Sequence, residues 1–511
     1  MKFNLKPTKI LKENNTLVVL GILGFLIFAV YGNSLGNDFV SDDIPAIVNN
    51  PVIGQFYNHN GNPLMGFVKI AIHAAIYHLF GLSAWPYRLV NILFHFGFVF
   101  LIYLIIKRIK SARMGFITAC IFAVHPIFTE SVAWISGGVY AGYSFLILSS
   151  FYYYLKISEK KLFYWLAVVF FLVSLMVNEK AVIFPLILLT YEFVFGKIKG
   201  NLHKLVPFFG LSGLWVLFLV GVLGIRMETL TITHSQAGGF YNPLIQIPTA
   251  ITTYIQLIFL PLGLTLYHSE LSLGNLEYFV RALGLLAFFT ALFLGYKKER
   301  WVFFWLMFFM ISLLPMLTPL KVASVIAERY VYLGSLGIIV IFAYYLDKLA
   351  LSERWKEVAY VLFVLIIILL STRTVIRNLD WKNQDSLWIA AAKTSPSSSN
   401  NHNNLGDMYA RKGDYGKAAE EFAKAIELRP NYADAYHNLA NTYMNMGKND
   451  EAITNFKKAL KFNPNLWQSH RELAILYYKQ GRVDLTRTEL EAVLKIDPSQ
   501  TEIRKVLDGL N

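Results

Sequence analysis

Residues Thr16–Gly32 read TLVVLGILGFLIFAVYG, an unbroken apolar run with no charged side chain. A helix rises about 1.5 Å per residue, so about 20 such residues cross the roughly 30 Å of bilayer hydrocarbon. Lys2, Lys6, Lys9 and Lys12 precede the run. No small-residue cleavage site follows it and it is long for a signal core, so it reads as an uncleaved first span leaving a basic, cytoplasmic N-terminus. Similar runs recur along the chain. Only 16% of the residues are charged and 55% are hydrophobic, against about 25% charged in soluble domains. One soluble core cannot hide that much apolar surface.

The net charge of +14 raises the question of nucleic acid, and its distribution answers it. From residue 397 onward 16 basic residues face 15 acidic ones, so nearly all the excess lies in the apolar part. That is what cytoplasmic loops of a membrane protein look like, and no nucleic-acid partner is expected. Cys120, the one cysteine, sits inside an apolar run and has no partner for a disulfide.

Basic clusters punctuate the runs at Lys107-Arg108-Lys110-Arg113, Lys156 with Lys160-Lys161, Lys197-Lys199-Lys204, Lys297-Lys298-Arg300, and Lys348 with Arg354-Lys356. If each is cytoplasmic, parity is fixed. Leu64–Leu82, which carries Lys69, His73 and His78, then lies along the outer surface as an amphipathic helix. The stretch Ile247–Leu264, interrupted by Pro248 and Pro261, does not cross either. Roughly eleven spans remain, an odd number, which puts the C-terminal part outside. The expected fold is therefore all-α: a polytopic membrane bundle over 1–372 with an outer loop at 33–84, a linker at 373–398, and a separate C-terminal array. The outer side also collects 226–248, 318–329, and the corners at His125–Ser131 and Asn178–Lys180.

The array declares itself by period. Leu405, Leu439 and Leu473 are 34 apart, as are Tyr409, Tyr443 and Tyr477, and Pro430, Pro464 and Pro498. Ala418 and Ala452 fit close helix contacts, while Phe422, Phe456 and Leu490 fill a core. This helix-turn-helix period resembles the tetratricopeptide repeat (TPR) over about 399–501. Thr486 and Val493 make the third repeat irregular, as a terminal cap would be, and 502–511 reads as a closing helix. The concave face of such a stack suits a peptide; the plain alternative is a spacer.

Ionisable residues at membrane depth suggest function. Asp42 and Asp43 follow the first span in Asn37-Asp38-Phe39-Val40-Ser41-Asp42-Asp43-Ile44. They read either as a solvated loop or as a general base held at the membrane surface. In His125-Pro126-Ile127-Phe128-Thr129-Glu130-Ser131-Val132-Ala133-Trp134, proline brings His125 and Glu130 to one corner. Asn178-Glu179-Lys180 forms another corner, readable as an interfacial ion pair. Ala327-Glu328-Arg329-Tyr330-Val331-Tyr332-Leu333 places an arginine at the mouth of a span, either snorkelling or poised to clamp a phosphate.

Taken in order with Asn378-Leu379-Asp380-Trp381 and the repeats, these motifs resemble the transmembrane and tetratricopeptide-repeat O-mannosyltransferases and their bacterial relatives, of the GT-C glycosyltransferase superfamily. Family members often continue the tryptophan motif with Gly-Arg and an acid, where this chain has Ser136-Gly137-Gly138-Val139-Tyr140, and commonly carry lysine in place of Asn178. The resemblance implies inverting transfer of a hexose from a polyprenyl-phosphate sugar to a hydroxyl, chiefly a protein Ser or Thr, on the non-cytoplasmic face. It implies Asp42 as base with Asp43 as neighbour and substitute. Arg329 would stabilise the leaving phosphate, helped by Lys321 or Lys180, while His125, Glu130, Glu179 and Tyr332 line the substrate site. No cofactor and no metal is expected, although Asp42, Asp43 and Glu130 could hold one. The array could bind the acceptor. The setting would be a bacterial inner membrane with the repeats periplasmic, or an endoplasmic-reticulum membrane with the repeats luminal. The rival classes are a non-enzymatic scaffold recruiting partners through the repeats, and a transporter; against the latter, the ionisable residues sit at outer corners, not at the midplane.

Overall fold

The computed structural model describes residues 16–55, 67–196, 198–234, 243–266, 268, 274–317 and 326–510. Lys321, the N-terminal lysines and parts of the expected outer loops lie outside the described residues. The chain forms two compact units, with the division at Leu387–Trp388. Every element among the described residues is helical.

The first unit runs α1 (Thr16–Tyr31), α2 (Phe67–Phe80), α3 (Ala84–Ile109), α4 (Ala112–Val124), α5 (Thr129–Val132), α6 (Val139–Tyr154), α7 (Lys161–Val177), α8 (Phe184–Val194), α9 (Ile198–His234), α10 (Pro243–Phe259), α11 (Asn275–Lys298), α12 (Arg300–Leu313), α13 (Ser335–Leu351) and α14 (Lys356–Asp380). In hydrocarbon every backbone polar group needs an internal partner, which helices supply. Large apolar side chains such as Phe25, Leu217, Leu286 and Leu369 point outward, as they can in lipid. The unit is that of an integral membrane protein.

Among the described residues five helices are long and apolar enough to cross a membrane, or six if the pair α4 and Pro126–Val132, bent by 55°, counts as one. The expected eleven runs are all helical, but α6, α7, α8, α12 and α13 hold only 11–17 residues each. Motif residues bound most of these helices: α6, α8 and α13 begin soon after motif turns, and α7 ends before Asn178. His125 precedes Pro126 and takes the Ile127 N–H on its own ring. Asn178 accepts the Lys180 N–H. Single 3₁₀ turns at Pro126–Phe128, Ser136–Gly138, Glu179–Ile183 and Glu328–Val331 carry the chain round.

The stretch expected as a linker is helical instead. Residues up to Asp380 complete α14, and α15 (Gln384–Thr394) follows. Thr374, Arg377 and Asn378 are buried, because polar side chains on the last turns of α14 face the bundle and find partners there.

The second unit is a stack of helix pairs: α16 (Ser399–Arg411) with α17 (Tyr415–Leu428), α18 (Ala433–Asn445) with α19 (Asn449–Phe462), α20 (Trp467–Lys479) with α21 (Val483–Ile496), then α22 (Thr501–Gly509). The residues picked by period are its core: Leu405, Leu439, Leu473, Ala418, Ala452, Thr486, Phe422, Phe456 and Leu490 are all buried. Ser398 and Asp414 cap their helices through Asn401 N and Lys417 N.

Candidate functional site

The loop after α1 is strapped to the corner after α5. The Arg88 guanidinium, fully buried on α3, donates to the carbonyls of Ala133 (2.6 Å), Asn37 (2.7 Å) and Asp38 (2.9 Å). Trp134 donates its indole N–H to the Val40 carbonyl at 3.2 Å and stacks on Trp381 with centroids 5.5 Å apart. Asn91 Nδ2 donates to the Trp134 and Ile135 carbonyls. A Cβ at position 138 would lie 1.8 Å from Asn91 Oδ1, so only glycine lets the corner approach α3.

This clamp treats the two aspartates differently. Asp43 is fully buried; its Oδ1 accepts from Ser136 N (2.8 Å) and Ser136 Oγ (2.6 Å), and its Oδ2 from Val40 N (3.2 Å). Burial pushes the Asp43 carboxyl above the usual carboxylate range, while the Ser136 and Val40 hydrogen bonds and the Arg88 charge pull it down. Asp42, next to it, is exposed. Asp43 N donates to the Val40 carbonyl at 3.0 Å, so Ser41 and Asp42 form the corner of a tight turn.

Lys69 on α2 lies within electrostatic reach of both carboxylates. Burial lowers its affinity for its proton; Asp43 and Asp42 raise it. It lines a cavity of about 270 Å³ with Ala46, Asn50, Ile53, Ile70 and His73.

The other corners build a second cluster. Glu130 is fully buried and grips Arg329 twice, accepting from its backbone N–H (2.8 Å) and from its guanidinium. Arg329 stands 4.9 Å from the Tyr330 ring and 5.4 Å from the Trp134 ring. Burial opposes its charge, and Glu130, Tyr330 and Tyr140 outweigh that, so the guanidinium stays protonated. Lys180 joins by donating to Tyr140 Oη at 2.8 Å and lying 5.1 Å from the Tyr330 ring, and Glu179 is close enough to act on the Tyr140 hydroxyl. Beside them Glu328 pairs with Arg377 at 3.3 Å and with His268 at 3.5 Å, and Arg377 pairs with Asp380 at 2.7 Å.

Two expected substrate residues are placed elsewhere. His125 is buried with Nε2 against the Ile258 carbonyl (2.8 Å) and Nδ1 taking the Ile127 N–H. Tyr332 is buried in an aromatic core of Phe98, Phe122 and Phe128, its hydroxyl 2.7 Å from His95 Nδ1. These side chains hold the corner and have no open face; Pro126 and the aromatic neighbours turn them inward. Among the described residues no group of three or more His, Cys, Asp or Glu side chains is arranged to hold a metal ion.

Arg88, Lys69, Ser136, Tyr140 and Arg377 stand in these clusters outside the residues to which the motifs assign a role. A charge inside an apolar helix is itself a signal, and it was available for Arg88, Lys69 and Arg377. Ser136 and Tyr140 carried no such mark.

The bundle with inward-held charge pairs at its helix breaks, followed by a repeat stack, defines a membrane protein with a polar site at one end of its helices. The comparisons agree with the resemblance seen in the motifs. The pattern of the dolichyl-phosphate-mannose-protein mannosyltransferase family matches residues 62–224, and tetratricopeptide-repeat patterns match 406–447 and 433–466. The chain is similar to protein O-mannosyl-transferase F38B6.6 of Caenorhabditis elegans, at 24% identity over 80% of this chain and 62% of the relative. It is likewise similar to protein O-mannosyl-transferase TMTC3 of Mus musculus, at 26% identity over 79% of this chain and 50% of the relative. It thus spans about half to three-fifths of these relatives' length. Among solved structures, ArnT from Cupriavidus metallidurans bound to undecaprenyl phosphate covers 88% of this chain and 80% of its own, with 14% identity and a TM-score of 0.45.

Proposed function

We propose that the membrane unit is a glycosyltransferase that moves a hexose from a polyprenyl-phosphate sugar to a hydroxyl, chiefly of a protein Ser or Thr, on the non-cytoplasmic face and with inversion. The observation that carries this reading is the division of labour in the acidic pair: Asp43 is saturated with hydrogen bonds and fixes the turn, while Asp42 stands exposed on it.

Asp42 takes the acceptor proton as the hydroxyl oxygen attacks the anomeric carbon. The new C–O bond forms as the bond from that carbon to the phosphate oxygen breaks. The electron pair leaves on the phosphate, giving a polyprenyl monophosphate. The developing charge needs cations more than a proton. Arg329, kept protonated by Glu130, and Lys69, beside the cavity, are the two candidates, with Lys180 supporting Arg329 through Tyr140. In this reading the chain's own cations meet the phosphate charge and no metal is invoked. His125 and Tyr332 shape the corner without touching substrate. The repeats offer a surface for the acceptor.

The test is direct. Membranes containing the chain, given radiolabelled polyprenyl-phosphate hexose, should transfer label to protein in an alkali-releasable, Ser- or Thr-linked form. Absence of label with every polyprenyl-phosphate sugar tried, against a well-expressed chain, would refute the reading.

A further inference from the structure

Ser41 is the one non-glycine residue with a positive φ, +52°, among the described residues. It occupies the first corner position of the Val40–Asp43 turn, where the left-handed backbone favours glycine. Such a conformation persists only when its surroundings hold it. The Ser41 N–H donates to Gln384 Oε1 at 3.1 Å. An N–H can be taken only by an oxygen here, which also fixes the orientation of the Gln384 amide. Gln384 is the first residue of α15.

This bond is the last of a series. Asn33 Nδ2 donates to the Val375 carbonyl at 3.0 Å and Asn37 Nδ2 to the Asn378 carbonyl at 3.0 Å. Asn378 Nδ2 returns to the Val30 carbonyl (2.8 Å) and Asn33 Oδ1 (2.7 Å), and Asp38 N donates to the Lys382 carbonyl at 2.8 Å. The contacts step along the loop towards Asp42 as α14 gives way to α15. None of the other contacts ties a residue with positive φ. The Gln384 bond alone ties the strained residue, and that residue adjoins Asp42.

We propose that Gln384 is a positioning residue: it holds Ser41 in its left-handed conformation and thereby aims the Asp42 carboxylate. The inference rests on the reading of Asp42 as the base, but its structural half stands apart from it. A misplacement of about 1 Å in a reacting group can cost about 10²-fold in rate. Gln384→Leu should lower kcat by up to that factor and leave the KM for the donor unchanged, since the variant touches neither phosphate cation. Gln384→Glu, which keeps an acceptor oxygen, should retain most of the rate. Ser41→Gly added to Gln384→Leu should restore the rate, because glycine takes the left-handed conformation unaided.

A second readout does not depend on activity. With Asp42→Cys, and Cys120 buried as a silent background, the rate of maleimide labelling reports the setting of position 42. Gln384→Leu should change that rate several-fold and Ser41→Gly should return it. No change on Gln384→Leu, or a change that Ser41→Gly fails to reverse, overturns the proposal. If labelling behaves as expected while the wild-type chain transfers no sugar, the latch stands and the enzymatic reading falls.

Discussion

The repeat unit and the membrane unit use the same element for opposite ends. In the repeats every break between helices recurs 34 residues later: Gly413, Gly447 and Gly481 each end a first helix with φ between +72° and +78°. In the membrane unit no two breaks are alike. A proline corner and an asparagine cap close α4 and α7, a glycine corner follows α5, and the Glu328–Val331 turn leads into α13; each carries a charged or polar side chain into the same neighbourhood. Regular breaks make a stack whose stability is a sum of near-identical contacts. Irregular breaks leave backbone and side-chain groups that must be satisfied singly, and these are the groups that can do chemistry.

If that contrast holds, each substitution at the irregular breaks should have its own signature in activity and in the stability of the membrane unit, and none should reach the repeats. The largest effect is expected for Asp42→Asn. It keeps the shape of the side chain but cannot accept a proton at neutral pH, and loss of general-base help costs about 10² to 10⁴-fold. Thermal unfolding should be unchanged, because Asp42 is exposed. Asp43→Asn should act on stability too: its amide oxygen can keep the two Ser136 donors, but an NH2 then faces the buried Val40 N–H, so the unit should be destabilised as well as slowed. Transfer assays beside melting curves separate the two, and a fully active Asp42→Asn variant would end the catalytic assignment.

Next in size is Glu130→Gln. It leaves the Arg329 guanidinium without its counter-charge in a site where Glu130 has no exposed surface. Removing one partner of a buried pair costs about 3–5 kcal/mol. The loss should appear in the unfolding of the membrane unit and not in that of the repeats. A shift in the repeat transition of equal size would mean the two units are one cooperative structure, and the contrast between them would be lost.

What was legible beforehand follows the same line. The repeats could be read residue by residue, because a 34-residue period repeats each core position and the contacts are local. The apolar runs are legible as helices, but not their lengths, since these depend on where residues such as His125 and Asn178 stop them. Of the candidate site, Glu130, Arg329, Lys180 and the acidic pair stand out in the sequence because charge is costly in an apolar setting. Sequence order does not show which way the rings of His125 and Tyr332 turn; packing against Phe128, and for Tyr332 also Phe122, turns both inward. Ser395–Ser399 is linker-like in composition, and that makes 373–398 look like a linker. That composition says nothing of Arg377 and Asn378, whose partners lie more than 300 residues away for Asn378 and in the Glu328 turn for Arg377.

Within the repeats, Gly447→Ala probes regularity. The left-handed backbone costs a non-glycine residue roughly 1 kcal/mol, and open space surrounds the position, so strain is the only cost. The same change at Gly413 or Gly481 should cost about as much. Chemical denaturation of residues 397–511 would measure all three. Costs that differ severalfold would show that the stack is less uniform than its period.

The smallest effect concerns pH. His470 Nδ1 lies 2.5 Å from Glu489 Oε2, and Nε2 lies 3.2 Å from the Pro464 carbonyl. Both ring nitrogens face acceptors, and only the imidazolium can donate from both. The hydrogen bond to Glu489 therefore raises the His470 pKa above its usual 6.5, against a smaller opposing effect of burial. A raised folded-state pKa means that the folded chain binds the proton more tightly than the unfolded chain does. The stabilisation is then complete below about pH 6.5 and is lost as pH rises through the folded value. Both side chains are partly exposed, which holds the contribution under about 1 kcal/mol. His437, whose pKa burial lowers to about 4, stays neutral over this window and does not confuse the reading. The difference in stability between the native repeats and His470→Gln should be greatest near pH 5.5, shrink by pH 8, and weaken in high salt. A difference that grows with pH would mean that His470 is neutral in the folded stack, and that Glu489 and the Pro464 carbonyl do not hold its proton.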